Sequence, residues 1–269
     1  MAPSELGNEN KMPLLDHLIE LRQRLLYSFI AMIVAFFICY ALAGHIYNFL
    51  VQPLSDITEG QAGRRMIFTA LHEAFFTQIK VAFFAAMCIS FPIFATQLWR
   101  FIAPGLYKQE KKAFLPFLLA TPALFALGAS VVYYLVIPLA WRFFLSFEQP
   151  GGDGVLPMEL EPKVDQYLSL VMRLIFAFGI CFELPILIIL LSKVGIVSST
   201  GLKAKRKYAI LIAFVVAAVI TPPDVISQIM LAIPIILLYE ISILCADFME
   251  KRREKNVSDD EPDAGTETS

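Results

Sequence analysis

The feature that most constrains this chain is a set of long apolar runs without charge. The first run, LLYSFIAMIVAFFICYALA at 25–43, has nineteen residues and no charged side chain. A helix of that length extends roughly 28 Å, close to the ~30 Å hydrocarbon core of a bilayer. Only 17% of the 269 residues are charged, against about 25% in soluble domains. We therefore expect an integral membrane protein.

Hydropathy predicts an all-α protein with six transmembrane helices. The predicted spans are about 25–47, 76–98, 114–138, 167–191, 208–221 and 225–246. Spans five and six are expected to be short and joined by a tight turn at 221–224. Prolines within or next to the spans predict kinked helices. A kinked bundle with short helices favours a concave, glove-like shape.

Lys and Arg residues alternate from one side of the predicted bundle to the other. Sixteen lie in 1–24, 99–113, 192–207 and the segment after 246, and four lie in the intervening loops. Positive charge collects on the cytoplasmic side of membrane proteins, which predicts that both termini are cytoplasmic. We divide the chain into an amphipathic cytoplasmic segment at 1–24, a transmembrane domain at 25–246 and an acidic, disordered cytoplasmic tail at 247–269.

Two acids lie in segments predicted to be cytoplasmic. Glu20 precedes the first span, and its spacing to Arg24 predicts an i,i+4 ion pair. Alternatively, Glu20 belongs to an acidic patch that receives a cation from outside the chain. Glu110 is flanked by lysines, which is typical of a solvated loop charge. The aromatic residues and the Pro-Gly pair before it favour a docked loop instead, where a carboxylate can bind a guanidinium bidentately.

Two further acids fall inside predicted spans. Glu183 lies in span four and Glu240 in span six. An intramembrane carboxylate costs about 2.5–3.5 kcal/mol on insertion scales unless it is paired, protonated or open to a cavity. Glu183 is therefore either a functional acid or a packed, hydrogen-bonded one. Glu240 is expected to be a second buried acid, with either a structural or a functional role.

Polar residues cluster at the predicted turn between spans five and six. Asp224 can cap the sixth helix after the Pro-Pro pair, and Gln228 can form hydrogen bonds between helices. The three histidines and four cysteines are scattered, without the spacing of a metal site. The sequence also contains no phosphate-binding loop, catalytic triad or basic-aromatic patch. We expect no metal, no cofactor, no nucleic acid and no enzymatic activity.

Four motifs together resemble the TatC family, the multi-spanning core subunit of the twin-arginine protein translocase. They are HLIELRQRL (17–25), FIAPGLYKQE (101–110), FGICFELP (178–185) and TPPD (221–224). They occur in family order within a resemblance that covers about 13–250. The resemblance implies six helices with both ends cytoplasmic, in the inner membrane of a bacterium. It also implies a receptor for twin-arginine signal peptides of folded cargo, which assembles with single-span TatA and TatB and with further copies of itself. Export is then driven by the proton-motive force without nucleotide hydrolysis.

The resemblance also implies roles for individual residues. Glu20 and Glu110 would form the cytoplasmic site for the paired arginines, and Glu183 would face a concave groove and meet a polar group of a partner helix. Thr221 and Gln228 would lie near the region that contacts the partner, and Pro53, like Asp224, would be a functional position in a loop. The residues that would shape the twin-arginine site are Arg22, Phe101, Pro104, Leu106 and Tyr107.

A second function remains open at this stage. Glu183 and Glu240 are compatible with a proton relay in a secondary transporter. Many such transporters are built from internal repeats, and no repeat is visible in this sequence. The short fifth and sixth spans favour a groove open to lipid over a closed bundle.

Overall fold

The computed structural model describes residues 12–58, 65–102, 111–149, 151–152, 156–193, 195–221 and 225–259, most of them helical. The helices are α1 (Met12–Ala41), α2 (Ala43–Thr58), α3 (Glu73–Ile102), α4 (Lys111–Val131), α5 (Ile137–Leu145), α6 (Val164–Cys181), α7 (Leu184–Lys193), α8 (Ser199–Ala204), α9 (Arg206–Ile220) and α10 (Val225–Asp259), with a π-helical turn at Val132–Val136 between α4 and α5. The predicted all-α architecture is confirmed.

Within the described residues, five helical stretches are long and apolar enough to cross a membrane. They are Leu18–Ala41, Glu73–Phe101, Pro116–Leu145, Val164–Lys193 and Val225–Lys251. α9 occupies the position of the predicted fifth span but has only 15 residues. A helix of that length extends about 22 Å, less than the ~30 Å hydrocarbon core. The prediction that this helix is short is confirmed.

The sixth predicted span differs from the structure at its end. α10 has 35 residues and continues to Asp259, into the segment that we expected to be a disordered tail. Asp247 and Lys251 lie one turn apart and form an ion pair at 3.0 Å. Such pairs stabilise a helix in water, beyond the apolar stretch that hydropathy detects. The predictions of a short sixth helix and of disorder at 247–259 were therefore wrong, and the rest of the predicted tail lies outside the described residues.

Pro53 also lies in a different setting from the one predicted. It is a buried residue inside α2, not a loop residue. Proline has no backbone N–H, so the carbonyl four residues before it loses its helical donor. That carbonyl belongs to Phe49, and the Tyr133 hydroxyl donates to it at 2.7 Å. A side chain from the π-helical turn thus replaces the missing backbone bond.

The centre of the bundle is a close contact between α4 and α6. A Cβ atom on Gly128 would lie 2.7 Å from the carbonyl oxygen of Phe178, and a Cβ on Gly179 would lie 2.4 Å from the ring of Phe125. Only glycine permits this approach of the two helices. Phe178 is fully buried beside the contact.

Large apolar side chains also cover much of the outer surface. Phe37 of α1 and Val219 of α9 are 67% and 73% exposed. A soluble protein rarely exposes so much contiguous apolar surface, whereas a bilayer solvates it. This distribution fits the five membrane-length stretches.

The bundle has two faces, which are named here by the first helix. The N-terminal face is the one where the membrane-length part of α1 begins, and the opposite face is the one where α1 ends. Arg24 near the start of this stretch bonds Gln97 near the end of α3, so the two helices are antiparallel. On the opposite face, the segment before α3 meets the segment before α6 through a bridge between Ile67 and Lys163.

Candidate functional site

Glu20 and Arg24 form an ion pair at the N-terminal face. The Arg24 Nε and Nη2 atoms donate to the same Oε1 oxygen of Glu20, at 3.0 Å and 2.5 Å. The side chains are 44% and 22% exposed. The predicted i,i+4 pair is confirmed, and it demonstrates that a guanidinium fits against this carboxylate.

Arg24 also joins two helices. Its Nη1 atom donates to the Oε1 atom of Gln97 on α3 at 3.2 Å. One guanidinium therefore contacts Glu20 on its own helix and an amide on the neighbouring helix. Because Arg24 is only partly exposed, these contacts fix the beginning of α1 against the end of α3.

An apolar groove begins at this guanidinium. Its cavity has a volume of about 420 Å³ and lies among α1, α3 and the break between α6 and α7. Most of its lining is hydrophobic, and the lining residues that matter below are Leu21, Arg24, Phe91, Phe101, Ile180 and Glu183. Glu20 lies beside the Arg24 guanidinium at this mouth. A ligand whose cationic end takes the place of Arg24 on Glu20 could therefore lay a hydrophobic segment along the apolar wall.

Glu183 lies within this groove at a helix break. α6 ends at Cys181 and α7 begins at Leu184. Pro185 lacks the N–H that would bond the Cys181 carbonyl, which accounts for the interruption. The break places Glu183 between two helices, whereas the sequence pattern placed it within one.

The Glu183 carboxyl group has no hydrogen-bond partner within the described part of the chain. The residue is 8% exposed, and both Oε atoms are buried. The Thr121 hydroxyl is a nearby donor that faces the carboxyl group without the geometry of a full hydrogen bond to either oxygen. It accepts the indole N–H of Trp99 at 3.3 Å. A buried polar group without a partner costs about 1–3 kcal/mol, and more when it is charged. The sequence left open that Glu183 is a packed acid stabilised by hydrogen bonds. The structure does not contain such a fully bonded acid.

Thr221 ends α9 with a bond inside that helix, and Gln228 connects α9 to α10. The Thr221 hydroxyl donates to the Ala217 carbonyl at 2.8 Å at the end of α9. The Gln228 side chain on α10 donates to the Phe214 carbonyl on α9 at 3.0 Å. The predicted bond between helices is confirmed for Gln228.

The structure brings only part of the predicted site together. Arg22 is exposed on α1, and Phe101 lies at the end of α3, in the groove wall. Five predicted residues lie outside the described residues: Pro104, Leu106, Tyr107, Glu110 and Asp224. Sequence reasoning missed Gln97 and Trp99, although polar side chains at the end of an apolar helix were a usable signal.

Glu240 is not the buried acid that the sequence suggested. Its side chain is 37% exposed and accepts from Arg206 Nη2 at 2.7 Å. Arg206 begins α9, so this pair joins the start of α9 to α10. Hydropathy alone could not reveal this partner, which comes from a different helix.

These features define an all-helical, multi-spanning membrane protein with a buried acid in the lining of an apolar groove. The family model for the Sec-independent protein translocase protein (TatC) matches residues 16–234. The chain belongs to the TatC family. This is a family of protein translocase components and not of enzymes.

Individual relatives match along most of the chain. A Sec-independent protein translocase protein TatC from Magnetococcus marinus is 52% identical over 248 residues, which cover 92% of this chain and 89% of the relative. The protein of the same name from Escherichia coli K12 is 42% identical over 240 residues, covering 89% and 90%. A crystal structure titled as the twin-arginine translocase receptor TatC in DDM matches with a TM-score of 0.76 at 40% identity, and the match covers 86% of this chain and 99% of that one.

Proposed function

We propose that this chain is the receptor and core subunit of a twin-arginine translocase in the inner membrane of a bacterium. Glu20 and Glu110 would bind the paired arginines of a signal peptide at the N-terminal face, which we assign to the cytoplasm. The Lys and Arg distribution supports this assignment. α9 has only 15 residues, but it would be a sixth span where the bilayer is thinned or where other helices partly bury it. With six spans, both termini would be cytoplasmic.

The Glu20–Arg24 pair is the observation that carries the proposal. The carboxylate already accepts two N–H groups from one guanidinium. An incoming arginine would require the same geometry. Arginine presents a planar fork of donors that lysine lacks, so a site of this kind discriminates between the two residues.

The apolar groove supplies the second part of the recognition. A charge-assisted hydrogen bond contributes only about 1.5–3 kcal/mol, which is too little by itself for tight binding of a peptide. The groove starts at Arg24 and is lined mainly by hydrophobic side chains such as Leu21 and Phe91. The hydrophobic stretch that follows the arginines of a signal peptide would bury its surface there.

Glu183 would bind a polar group of a partner helix. Its two carboxyl oxygens are buried without a well-formed hydrogen bond in the described residues, and the residue lines the apolar groove. TatA or TatB would supply that group. Thr221 and Gln228 already bond the chain's own carbonyls. Thr221 would therefore shape the end of α9, and Gln228 would set the spacing of α9 and α10. Cargo would then be exported with energy from the proton-motive force.

The experiment that tests this proposal is site-specific crosslinking in membranes. A photoreactive residue placed beside the paired arginines of a signal peptide should crosslink to the segment of α1 around Glu20. Replacing both acids, Glu20→Ala and Glu110→Ala, should abolish the crosslink and the export of folded cargo. Glu161→Ala is a matched control, because this acid lies on the opposite face and its pair with Arg65 is long, at 3.8 Å. If the double variant crosslinks and exports like wild type, the receptor assignment is wrong.

The alternative function, a proton-coupled transporter with a relay from Glu183 to Glu240, has less support. Glu240 forms an ion pair with Arg206 and is more than one-third exposed. Glu183 lies in a different cavity, which Glu240 does not line. Two acids in separate environments do not make a continuous path for protons.

A further inference from the structure

A second groove lies at the opposite face, between α2 and α5. Its cavity has a volume of about 470 Å³, within the ~300–1,000 Å³ range of small-molecule sites. One wall comes from α2 and includes Phe49, Gln52 and Asp56. The other wall comes from the π-helical turn and α5 and includes Tyr134, Pro138 and Arg142. Spacings of three and four residues place each set on one side of its helix. This cavity is called the opposite-face groove below.

The walls of the opposite-face groove are fixed by specific contacts. The rings of Phe49 and Tyr133 stack with centroids 4.4 Å apart and planes within 2°. The Tyr133 hydroxyl bonds the Phe49 carbonyl that Pro53 leaves without a donor. Beyond the groove, Thr58 of α2 and Leu145 of α5 line a common neighbouring cavity. The two helices therefore run side by side in the same direction.

Opposite charges lie together at one end of this groove. Asp56 and Arg142 are both exposed. Neither the Asp56 carboxylate nor the Arg142 guanidinium forms an ion pair or side-chain hydrogen bond with another described residue. The groove thus presents one anionic and one cationic group, and both are available to a ligand.

The other end of the groove is aromatic and lies deeper in the membrane-length stretch. Tyr134 precedes Arg142 by eight residues, which corresponds to about 12 Å along a helix. The Tyr134 and Phe49 side chains are 73% and 50% exposed. Aromatic rings at this depth are typical of the boundary between headgroups and acyl chains. The groove therefore changes from charged to apolar along its length, as a phospholipid does from its headgroup to its acyl chains.

We propose that the opposite-face groove binds a phospholipid with a phosphoethanolamine headgroup. The Arg142 guanidinium would bind the phosphate through paired N–H groups, and Asp56 would accept hydrogen bonds from the primary ammonium. Phe49 and Tyr134 would contact the glycerol and the upper acyl chains. Gln52, between Phe49 and Asp56, is within the same wall and can bond the ester or phosphate oxygens.

The two charges select among lipid classes. A purely anionic lipid would satisfy Arg142 but would bring no cation to the Asp56 carboxylate. A choline headgroup carries the same net charge as ethanolamine but has no N–H to donate to Asp56. Of these three headgroups, only ethanolamine offers both a phosphate for Arg142 and an N–H cation for Asp56. The preference for ethanolamine over choline lipids therefore tests the role of Asp56. The overall affinity for phospholipids tests the role of Arg142.

Native mass spectrometry of the full-length protein tests this site. The protein is titrated with phosphatidylethanolamine, phosphatidylcholine and phosphatidylglycerol that carry identical acyl chains. We expect wild type to bind the ethanolamine lipid about tenfold more tightly than the other two. Asp56→Asn should remove the preference for ethanolamine over choline. Arg142→Gln should weaken all three lipids by about tenfold.

Two variants on the same face serve as matched controls. Glu159→Gln and Arg65→Gln each remove one exposed charge from a residue that does not line the groove. Both should bind all three lipids like wild type. A photoreactive phosphatidylethanolamine should label the segment that contains Tyr134 in wild type and in the controls, and labelling should fall in both groove variants.

Three results would overturn the proposal. One is equal binding of the ethanolamine and choline lipids by wild type. Another is unchanged lipid binding in both groove variants. The third is a change of oligomeric state in the groove variants without a change of lipid binding, which would show that a protein chain occupies the groove. These readouts do not involve signal peptides, so they are independent of the proposed receptor function.

Discussion

Two N–H groups of Arg24 donate to the same carboxylate oxygen of Glu20. Within the proposed receptor, this guanidinium stands where the arginine of a signal peptide would bind. Arg24 also bonds Gln97, so it has a second partner when a peptide displaces it. The pair is thus an internal competitor for the binding site.

Replacing Arg24 should strengthen signal-peptide binding. In Arg24→Gln the competing charge is gone, while the new amide can still bond Gln97. Because a partly exposed ion pair is worth about 0.2–1 kcal/mol, we expect affinity for a twin-arginine peptide to rise by up to about fivefold. Fluorescence anisotropy of a labelled peptide measures the change. Lys205→Gln removes an exposed cation elsewhere and is the control for net charge. Weaker peptide binding in Arg24→Gln would mean that Arg24 orients Glu20 instead of competing for it.

Adding one methyl group to the contact between α4 and α6 should destabilise the bundle. In Gly128→Ala the new Cβ would lie 2.7 Å from a backbone carbonyl that cannot move aside. Overpacking of this kind typically costs about 1–3 kcal/mol. Thermal unfolding in detergent should show a lower Tm. Gly44→Ala is the matched control, because its Cβ would meet nothing within 4 Å, and it should be neutral or stabilising. Equal Tm values for the two variants would refute this description of the helix contact.

The Tyr133 hydroxyl should contribute to stability. Tyr133→Phe keeps the stacked ring but leaves the Phe49 carbonyl, which Pro53 already deprives of a backbone donor, without its 2.7 Å bond. We expect a loss of about 0.5–1.5 kcal/mol, the net contribution of a typical hydrogen bond, because this bond is only partly buried. Tyr134→Phe is the control, since Tyr134 is 73% exposed. A chemical denaturation series in detergent compares the variants, and a loss of equal size in both would argue against the role of Pro53.

Removing the Glu183 carboxylate should impair assembly with the partner subunits without impairing folding. Glu183→Ala removes a buried group without a hydrogen bond in the described residues, but it also leaves a cavity. Because these two effects oppose each other, the free energy of unfolding should change by no more than about 1 kcal/mol. Signal-peptide binding should be largely retained, whereas co-purification of TatA and TatB should fall. Glu240→Ala, which removes an acid paired with Arg206, should leave co-purification unchanged. Normal recovery of partners and normal export with Glu183→Ala would contradict the assigned role.

The sequence predicted the apolar helices well because hydropathy reports directly on what a bilayer solvates. It could not predict where the helices end in water. The Glu20–Arg24 and Asp247–Lys251 pairs extend α1 and α10 beyond the apolar stretches, and such pairs add too little free energy to be recognised against other charge patterns. For the same reason the tail from 247 was predicted to be disordered.

Contacts between distant segments were the second limit. The sequence identified Pro53 but not the hydroxyl of Tyr133 that compensates for it, 84 residues from the bonded carbonyl. It identified Glu183 as an unusual acid, and the structure adds that the group is unpartnered and lies at a break before Pro185. The environment of Glu240 was predicted wrongly because its partner, Arg206, lies at the start of another helix. No pattern within one segment contains this information.

The central claim is that two carboxylates, Glu20 and Glu110, recognise paired arginines. The most direct measurement is the affinity of the full-length protein for a twin-arginine signal peptide and for its lysine-lysine counterpart, in wild type and in the Glu20→Gln, Glu110→Gln double variant. The account predicts that wild type prefers the arginine peptide by at least about tenfold, and that the double variant binds both peptides equally. A double variant that retains the full preference for arginine would contradict it.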